Sequence, residues 1–522
     1  MSKDIETIVI VGGGTAGWLS AVYLNRALNR AGERPCRITL IESSDIGIIG
    51  VGESTVPTLR DTFAFLGLDE VEWMTRCQAT FKLAIKFVGW SGRSVQDSYW
   101  HPFEPPPQLH GLELVHYWLK RHLAGDQTPY DRSAYSVVAA CEAGKAPKDF
   151  SDPRYEGQVR YAYHLDAGLL ATYLKEVGKQ RGIIHLVDHV QRAVLTEDGY
   201  LSHLITANSG DLYADFFLDC SGFRGLLINQ TLGEPFIDDG ESLLCDRAVT
   251  MAVPQNETEP KINPYTTATA LSAGWAWHAP LFTRSGNGYV YASRFCSSDQ
   301  AEHEFRTHLG PVADSLEARH LTMRVGRTRR AWVKNCVSIG LSSGFIEPLE
   351  STGIYLIEMG LQNLLTYFPD KDFDPQQLDR YNQLMAYQYE HIRDFIIMHY
   401  CLTQREDSPF WQANKYQLTI PASLQAKLAL WRSALPIQEE TLETGFFRAP
   451  SYACVLSGLN FLPERPLPIL THISPNEAHA AFDRIQAEAE HWRNKLPDHV
   501  KTLRRLQLYH ELRQAYRAEK AI

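Results

Sequence analysis

The sequence predicts an α/β fold with a Rossmann-like dinucleotide-binding domain, followed by a mostly helical C-terminal region. The apolar run Ile5–Val11 is typical of a buried strand, and the glycine-rich residues 12–17 follow it directly. Trp18–Asn29 then has helical periodicity, and Arg37–Glu42 is a second strand candidate. This order of strand, glycine turn, helix and strand predicts a βαβ unit.

The rest of the chain supplies further strand candidates and then helices. The later strand candidates are Ile183–Val187, Leu212–Cys220 and Ala331–Ile339. From Gln376 onward helical patterns dominate, in Leu378–His399, Ala422–Ala434 and, with breaks, Pro475–Lys520.

These elements predict two regions of the chain. The first is an α/β domain over residues 1–365, into which substrate-side segments at about 80–180 and 230–320 are inserted. The second is a mainly helical, substrate-side region over residues 366–522.

Composition excludes several classes of protein. The chain has 522 residues, 44% of them hydrophobic, and a formal net charge of −10, so nothing favours nucleic acid. Its nine cysteines form no CxxC pair, which favours reduced thiols in the cytoplasm, and we predict no metal site. We expect no signal peptide, and because no apolar run reaches about 18 residues we predict no membrane segment.

The glycine-rich turn predicts a phosphate site. Gly12, Gly14 and Gly17 form G-x-G-x-x-G between a strand and a helix, the context in which this motif binds dinucleotides. The first glycine permits the sharp turn, the second lets the backbone approach a pyrophosphate, and the third allows close packing of helix and strand. Thr15 and Ala16 complete the helix start that would face the anion. The alternative is a glycine-rich turn that holds no ligand.

Two acidic residues are candidates for the same nucleotide. Glu42 ends the second strand and can accept a hydrogen bond from a ribose hydroxyl, which argues against a 2′-phosphate. Asp219 lies in Phe217–Gly225, whose Asp-x-Ser-Gly resembles a segment of FAD-dependent aromatic hydroxylases. Asp219 as a plain N-cap or turn residue is the alternative. No second well-placed G-x-G-x-x-G is found for NAD(P)H, so the flavin would arrive already reduced.

Four further segments resemble the flavin-dependent tryptophan halogenase family. In chain order they are Gly50–Pro57, Phe81–Phe87, Gly274–Pro280 and Phe345–Tyr355. The third resembles the family signature W-x-W-x-I-P, with Ala279 in place of the isoleucine. Cys220–Asn229 and Arg324–Trp332 are similar as well, so the matching blocks span residues 5 to about 365 in family order.

The resemblance implies a catalytic pair, Lys82 and Glu350. Reduced FAD, oxygen and a halide together yield hypohalous acid, which the protein must guide to its substrate. Lys82 would do this by a hydrogen bond or as a haloamine, and Glu350 would polarise the oxidant or remove the ring proton. The alternatives are Lys86, one turn away if the segment is helical, and Glu347; a solvated Lys82 without a role is a third.

The resemblance also implies flavin and halide contacts. Thr352 and Gly353, at the start of a predicted helix over Ile354–Tyr367, would bind the halide, and an ordinary N-cap is the alternative. Trp275 and Trp277 would keep substrate from the flavin, unless they are simply core aromatics. The remaining implied flavin contacts are Gly50, Val51, Gly52, Glu53, Ser54, Gly340, Ser351 and Ile354.

The substrate side departs from the family members that are specific for free tryptophan. His101 and Phe103 match one side of the aromatic sandwich that those enzymes build, and Phe447 stands where they have a tryptophan. The tyrosine pair and glutamate that clamp the amino-acid head group are replaced by Glu439–Thr444, without tyrosines. Without such a clamp a charged head group would lose its partners, so we predict a different indole-type or tryptophan-containing substrate.

The sequence therefore predicts an FADH2- and O2-dependent halogenase that uses chloride or bromide on an electron-rich aromatic ring. Its partners would be a small aromatic or indole-containing substrate and a separate flavin reductase, and a homodimer is left open. The alternatives are an FAD-dependent aromatic hydroxylase, which would need NAD(P)H, and a flavin-binding protein without catalysis.

Overall fold

The computed structural model describes residues 3–30, 35–45, 52–94, 96–437 and 445–520. Contacts between residues group the chain into two units, each assembled from three separate segments. Unit 1 comprises Met1–Asp69, Leu165–Asp239 and Met323–Glu390; unit 2 comprises Glu70–His164, Gly240–Thr322 and His391–Ile522. The predicted division after residue 365, with its inserted segments, stays a prediction about the domains.

Strands lie mainly in the first 345 residues. They are β1 (Thr7–Val11), β2 (Arg37–Glu42), β3 (Glu53–Ser54), β4 (Thr80–Lys82), β5 (Ala84–Val88), β6 (Ser98–Pro102), β7 (Gln108–Leu109), β8 (Leu112–Glu113), β9 (Ala162–Leu165), β10 (Ile184–Val187), β11 (Val190–Leu195), β12 (Leu201–Thr206), β13 (Asp211–Tyr213), β14 (Phe216–Asp219), β15 (Phe236–Asp238), β16 (Arg247–Pro254), β17 (Tyr265–Leu271), β18 (Gly274–Pro280), β19 (Arg284–Tyr291), β20 (Arg319–Thr322), β21 (Gly326–Thr328), β22 (Trp332–Val333), β23 (Cys336–Ser338) and β24 (Gly344–Phe345).

Helices dominate the last third of the chain, as the sequence predicts. They are α1 (Thr15–Leu28), α2 (Thr58–Leu66), α3 (Glu70–Arg76), α4 (Leu114–Leu123), α5 (Tyr130–Ala134), α6 (Val137–Glu142), α7 (Ala167–Gln180), α8 (Ser298–Leu309), α9 (Gly353–Thr366), α10 (Pro375–Cys401), α11 (Pro409–Tyr416), α12 (Ala422–Trp431), α13 (Ala449–Gly458), α14 (Pro475–Lys495) and α15 (His499–Lys520). Within the described ranges, none of them combines the length and apolar character needed to cross a membrane.

Unit 1 contains the predicted βαβ opening. Its six-stranded sheet has the order β10-β2-β1-β14-β23-β22, and all neighbours except β22 and β23 are parallel. Helix α1 packs against α7 and α9. Strand β1 has the apolar interior typical of a parallel sheet covered by helices, and its Ile8 and Ile10 are buried.

The predicted strand Ala331–Ile339 is wrong as a continuous element. Lys334 has φ 52°, and the chain turns there to form an antiparallel hairpin of β22 and β23. A lysine in the left-handed region gives no turn signal comparable to glycine or asparagine, so the sequence pattern conceals the break. The predicted strand Leu212–Cys220 is likewise divided, because β13 and β14 belong to different sheets.

Unit 2 is built on a seven-stranded sheet in the order β20-β16-β19-β18-β17-β5-β6. Strand β5 is parallel to β17 and antiparallel to β6. The Phe81–Phe87 segment is therefore not helical: Lys82 ends β4, whereas Lys86 lies on β5. Lys86 is thus not one helical turn from Lys82, and the two side chains belong to different strands.

The glycine turn between β1 and α1 is constrained sterically. Gly12 has φ 118°, and a Cβ atom there would lie 2.2 Å from the Cys220 carbonyl oxygen. A Cβ atom on Gly17 would lie 1.8 Å from the Gly12 carbonyl oxygen. Both positions therefore require glycine, the first for its backbone conformation and the second for the close approach of helix and strand.

Helix α9 carries a buried carboxyl group that links it to α2. Glu358 is fully buried, and it accepts a hydrogen bond from Thr58 at 2.8 Å and a second one from Thr62. Burial raises the pKa of Glu358 from 4.5 to about 7, because the two hydroxyls compensate only part of the lost hydration. The folded protein therefore binds a proton here more tightly than the unfolded chain does.

This carboxyl makes the stability of the fold depend on pH. Because its folded pKa is raised, its contribution is fully present below about pH 4.5 and is lost as pH rises through about 7. We expect Glu358→Gln to gain stability relative to wild type between pH 5 and pH 8, by up to about 3 kcal/mol. Denaturant unfolding at both pH values measures this difference. Glu197→Gln, in an exposed turn of the same unit, is the matched control; a constant difference for Glu358→Gln would contradict the prediction.

Candidate active site

The glycine turn of unit 1 leaves space for an anion. A Cβ atom on Gly14 would meet nothing within 4 Å, so the backbone at the start of α1 is open to a ligand. Helix α1 has no acidic residue in its first turn. Its unpaired N–H groups and its dipole therefore favour a negative charge. This cradle fits the pyrophosphate of a dinucleotide such as FAD.

Glu42 lies directly beside this turn. One of its carboxylate oxygens would lie 1.6 Å from a Cβ atom on Gly13, so the side chain occupies the space that glycine leaves. The other oxygen accepts hydrogen bonds from Lys175 at 3.0 Å and from His185 at 2.7 Å. These two donors fix Glu42 at the edge of the glycine turn, where a ribose hydroxyl would lie.

In the structure Asp219 is a turn residue, which was the alternative to a nucleotide contact. Its buried carboxylate accepts hydrogen bonds from the backbone N–H and hydroxyl of Ser221, at 3.0 and 2.6 Å. It also accepts from the N–H groups of Leu227 and Ile228, at 2.7 and 2.8 Å. Asp219 thus fixes the turn after β14, and a direct contact with FAD stays a prediction.

Two glycines mark other predicted flavin contacts. Gly52 has φ 78° and precedes Glu53 and Ser54 on β3. Burial, with Asp166 nearby, raises the pKa of Glu53 to about 7. Gly340 has φ 78°, and a Cβ atom there would lie 2.7 Å from that of Ala16, so the turn 340–342 approaches the start of α1 closely. The predicted contacts Gly50 and Val51 lie outside the described residues.

The start of α9 has the features of a halide site. Thr352 is its N-cap residue and is fully buried, yet within the described ranges its hydroxyl has no hydrogen-bond partner. A Cβ atom on Gly353 would meet nothing within 4 Å. The helix has no acidic residue in its first turn. An orphaned hydroxyl, the backbone N–H groups of a helix start and open space fit a small anion, and the Thr352 side chain makes no capping bond.

Glu350 directly precedes this site. It ends the 3-10 turn Pro348–Glu350 and is 2% exposed. Ser351 then adopts φ 63°, which reverses the chain before α9 begins. Ile354, in the first turn of α9, is buried too, and Glu347 is as deeply buried as Glu350. Burial alone therefore does not select between the two glutamates.

Lys82 is fully buried, at 0% exposure, at the end of β4 in unit 2. Its Nζ atom lies 5.2 Å from the centroid of the Phe103 ring. An ammonium over an aromatic face is attracted by the negative face of the ring, more strongly when water is excluded. Lys82 is therefore not solvated, and its catalytic role stays a prediction. Lys86 is instead half-buried, with its Nζ atom 5.2 Å from the Trp100 ring centroid.

A histidine that the sequence analysis did not identify lies next to Lys82. His164 faces Thr80 across β4 and β9, and Lys82 faces Ala162 in the same ladder. The Thr80 hydroxyl donates to the Pro280 carbonyl oxygen at 2.6 Å and lies 3.1 Å from Nδ1 of His164. Nε2 of His164 lies 2.9 Å from the Thr266 hydroxyl. Burial, with Lys82 as the next cause, holds the pKa of His164 well below its usual range, so the imidazole is neutral.

The predicted substrate residues of unit 2 come together. His101, on β6, pairs with Ile85 of β5, and its ring centroid lies 6.1 Å from that of Phe447. Phe395 of α10 stacks on Phe447 at 3.7 Å between centroids and lies 5.8 Å from His101. Phe395 was not predicted, because a phenylalanine on a long amphipathic helix is usually a core residue. The clamp region Glu439–Thr444 lies outside the described residues.

The two tryptophans of β18 are buried in the sheet of unit 2. The rings of Trp275 and Trp277 have centroids 6.2 Å apart and are 1% and 9% exposed. Gly288 of β19 faces Trp277, and a Cβ atom there would lie 2.0 Å from its ring. The tryptophans are therefore core residues of this sheet, and a barrier role stays a prediction.

Comparison with known proteins places this chain in a family. The family model for tryptophan halogenase matches residues 7–475. The chain is 39% identical to the tryptophan 6-halogenase SttH of Streptomyces toxytricini, over 95% of this chain and 97% of that protein. It is 38% identical to the tryptophan 7-halogenase RebH of Lentzea aerocolonigenes, with the same two coverages, 95% and 97%.

A solved structure agrees with these relatives. BrvH, a flavin-dependent halogenase from Brevundimonas sp. BAL3, superimposes with a TM-score of 0.88 at 36% identity, covering 97% of this chain and 100% of BrvH. The predicted fold class, an FAD-binding Rossmann-like domain with a helical C-terminal region, is confirmed by these structures. The chain belongs to the flavin-dependent tryptophan halogenase family and is a flavin-dependent halogenase.

Proposed function

We propose that this enzyme uses FADH2, oxygen and chloride or bromide to halogenate an indole-type or tryptophan-containing substrate, with Lys82 guiding hypohalous acid to the ring. The observation that carries the proposal is the complete burial of Lys82 beside an aromatic group. Its Nζ atom lies 5.2 Å from the Phe103 centroid, and Phe103 follows His101 on the same segment. A dry amine is suited to bind a small neutral oxidant that must not reach bulk water.

Residues of unit 1 are suited to bind the anionic groups that the reaction uses, the dinucleotide phosphates and the halide. Bound FADH2 would supply the electrons that reduce oxygen and so drive oxidation of the halide. The glycine turn and Glu42 would hold the dinucleotide, and Thr352 with Gly353 would hold the halide. Glu350, one residue before Ser351, would accept the ring proton or polarise the oxidant.

The substrate is proposed to lack a free amino-acid head group. His101, Phe447 and Phe395 supply aromatic surface for an electron-rich ring. The sequence Glu439–Thr444 offers no tyrosine pair to clamp an ammonium and carboxylate. Relatives named as 6- and 7-halogenases of tryptophan are about equally similar to this chain, at 39% and 38% identity.

Reduced flavin is proposed to come from a separate reductase, since the chain shows no second dinucleotide fingerprint. A cytoplasmic location is proposed because all nine cysteines are free thiols.

The first experiment tests the reaction and the lysine together. With FADH2 from a generic reductase, bromide and indole, we expect brominated indole from the wild type, detected by mass. Lys82→Ala should lower product formation at least about 100-fold while flavin oxidation continues, because the oxidant is no longer guided. Lys86→Ala, on the neighbouring strand, should keep most of the product.

The same assay separates the alternatives. An added oxygen instead of bromine would indicate a hydroxylase, and neither product would indicate a flavin-binding protein without catalysis. Full bromination by Lys82→Ala would show that the lysine has no guiding role. Glu350→Gln and Glu347→Gln, assayed side by side, identify which carboxylate the reaction requires.

The second experiment tests the halide site. Thr352→Val removes the orphaned hydroxyl but keeps the shape of the side chain. We expect the bromide concentration for half-maximal rate to rise about tenfold or more, since a hydrogen bond to a charged group is lost. Thr366→Val, whose exposed hydroxyl bonds within the same helix, is the control. An unchanged bromide dependence of Thr352→Val would place the halide elsewhere.

The third experiment tests the substrate class. Equal concentrations of free tryptophan, its doubly capped derivative N-acetyltryptophan amide, and indole compete for a limiting amount of FADH2. We expect the two substrates without a charged head group to yield at least about tenfold more halogenated product than free tryptophan. A preference for free tryptophan would show that another part of the chain clamps the head group.

A further inference from the structure

Strand β4, which ends in Lys82, is held along its length by contacts from separate elements. Thr80 is fixed by His164 and by the Pro280 carbonyl, as described above. The next residue, Phe81, donates its backbone N–H to Nε2 of His499 at 3.2 Å. Leu83, after the strand, donates its N–H to the Pro264 carbonyl oxygen at 2.8 Å. Lys82 thus lies between two backbone donors whose acceptors come from outside the β4–β9 ladder.

The His499 imidazole has one defined protonation state. Its Nδ1 atom lies 2.9 Å from the carbonyl oxygen of Ile262, which only accepts, so Nδ1 carries the hydrogen. Nε2 is then the free lone pair that accepts from Phe81. The ring is fully buried, and this burial lowers its pKa to about 4, against the opposing effects of the Ile262 hydrogen bond and Asp498. The histidine is therefore neutral at neutral pH, as an acceptor must be.

The backbone of His499 is itself anchored. It is the first residue of α15, and its N–H donates to the Gly144 carbonyl oxygen at 2.9 Å. Two residues earlier, the Pro497 carbonyl oxygen accepts from the N–H of Ala146, also at 2.9 Å. The His499 and Phe81 rings pack with centroids 6.1 Å apart. His499 is therefore held in place, and a shift of β4 would break the hydrogen bond from the Phe81 N–H to its ring.

We propose that His499 is a positioning residue for Lys82, acting through the backbone N–H of Phe81. The inference rests on the proposed function, since it concerns the lysine that guides the oxidant. His499 lies after residue 475, where the family-model match ends, so this contact comes from a part of the chain beyond that match. A displacement of about 1 Å at a reacting group costs up to about 100-fold in rate, so a lost backbone contact one residue away has a measurable effect.

The test compares side chains that differ in the acceptor. His499→Phe keeps the ring and loses the acceptor, whereas His499→Gln keeps an acceptor near the Nε2 position. The readout is the ratio of halogenated product to FADH2 oxidised, measured at equal concentrations of folded protein because free FADH2 also reacts with oxygen. We expect this ratio to fall about tenfold or more in His499→Phe and to recover largely in His499→Gln. His116→Phe, at a second fully buried histidine of unit 2, should leave the ratio unchanged.

The outcomes separate this inference from the proposed function. A wild-type ratio in His499→Phe overturns the inference, even where Lys82→Ala has lost all product. Absence of halogenation by the wild type itself overturns the proposed function instead. If His499→Phe does not fold, His499→Gln and His499→Asn decide, because the shorter asparagine does not reach the Nε2 position. A lower ratio in the asparagine variant supports the inference, and equal ratios in both overturn it.

Discussion

Burial of a lysine amine dominates the architecture around β4. Removing an ammonium from water costs several kcal/mol unless other groups compensate. The face of Phe103 offers its negative quadrupole to Nζ of Lys82. The nearby imidazoles of His164 and His499 are neutral, so no second positive charge accumulates beside the amine. Such a setting favours an amine that reacts or binds as a weakly hydrated group.

The ligands proposed for unit 1 are anions, although the chain has a net charge of −10. Two helices, α1 and α9, begin next to the proposed phosphate and halide positions, and neither has an acidic residue in its first turn. The backbone N–H groups at the start of each helix provide positive potential there. A backbone site of this kind keeps its charge at any pH at which the enzyme would work.

What the sequence predicted correctly was local. The βαβ opening depends on residues 7–42, in which strand, glycine turn and helix follow one another, and its bounds were close to those observed. The turn at Lys334 was missed because its left-handed backbone is imposed by the hairpin and not by the residue type. His164 and His499 were missed because their partners lie 84 and 418 residues away in the chain. Phe395 contacts Phe447 across a similarly unpredictable distance in sequence.

The pairing of Trp277 with Gly288 has a consequence for redesign of this enzyme. The indole ring fills the volume that any side chain at 288 would need, so the two positions share one fixed packing volume. Shrinking the tryptophan alone would leave a void beneath the sheet, and enlarging the glycine alone would force the strands apart. Directed evolution of this strand pair should therefore vary both codons in one library, because either change alone destabilises the sheet.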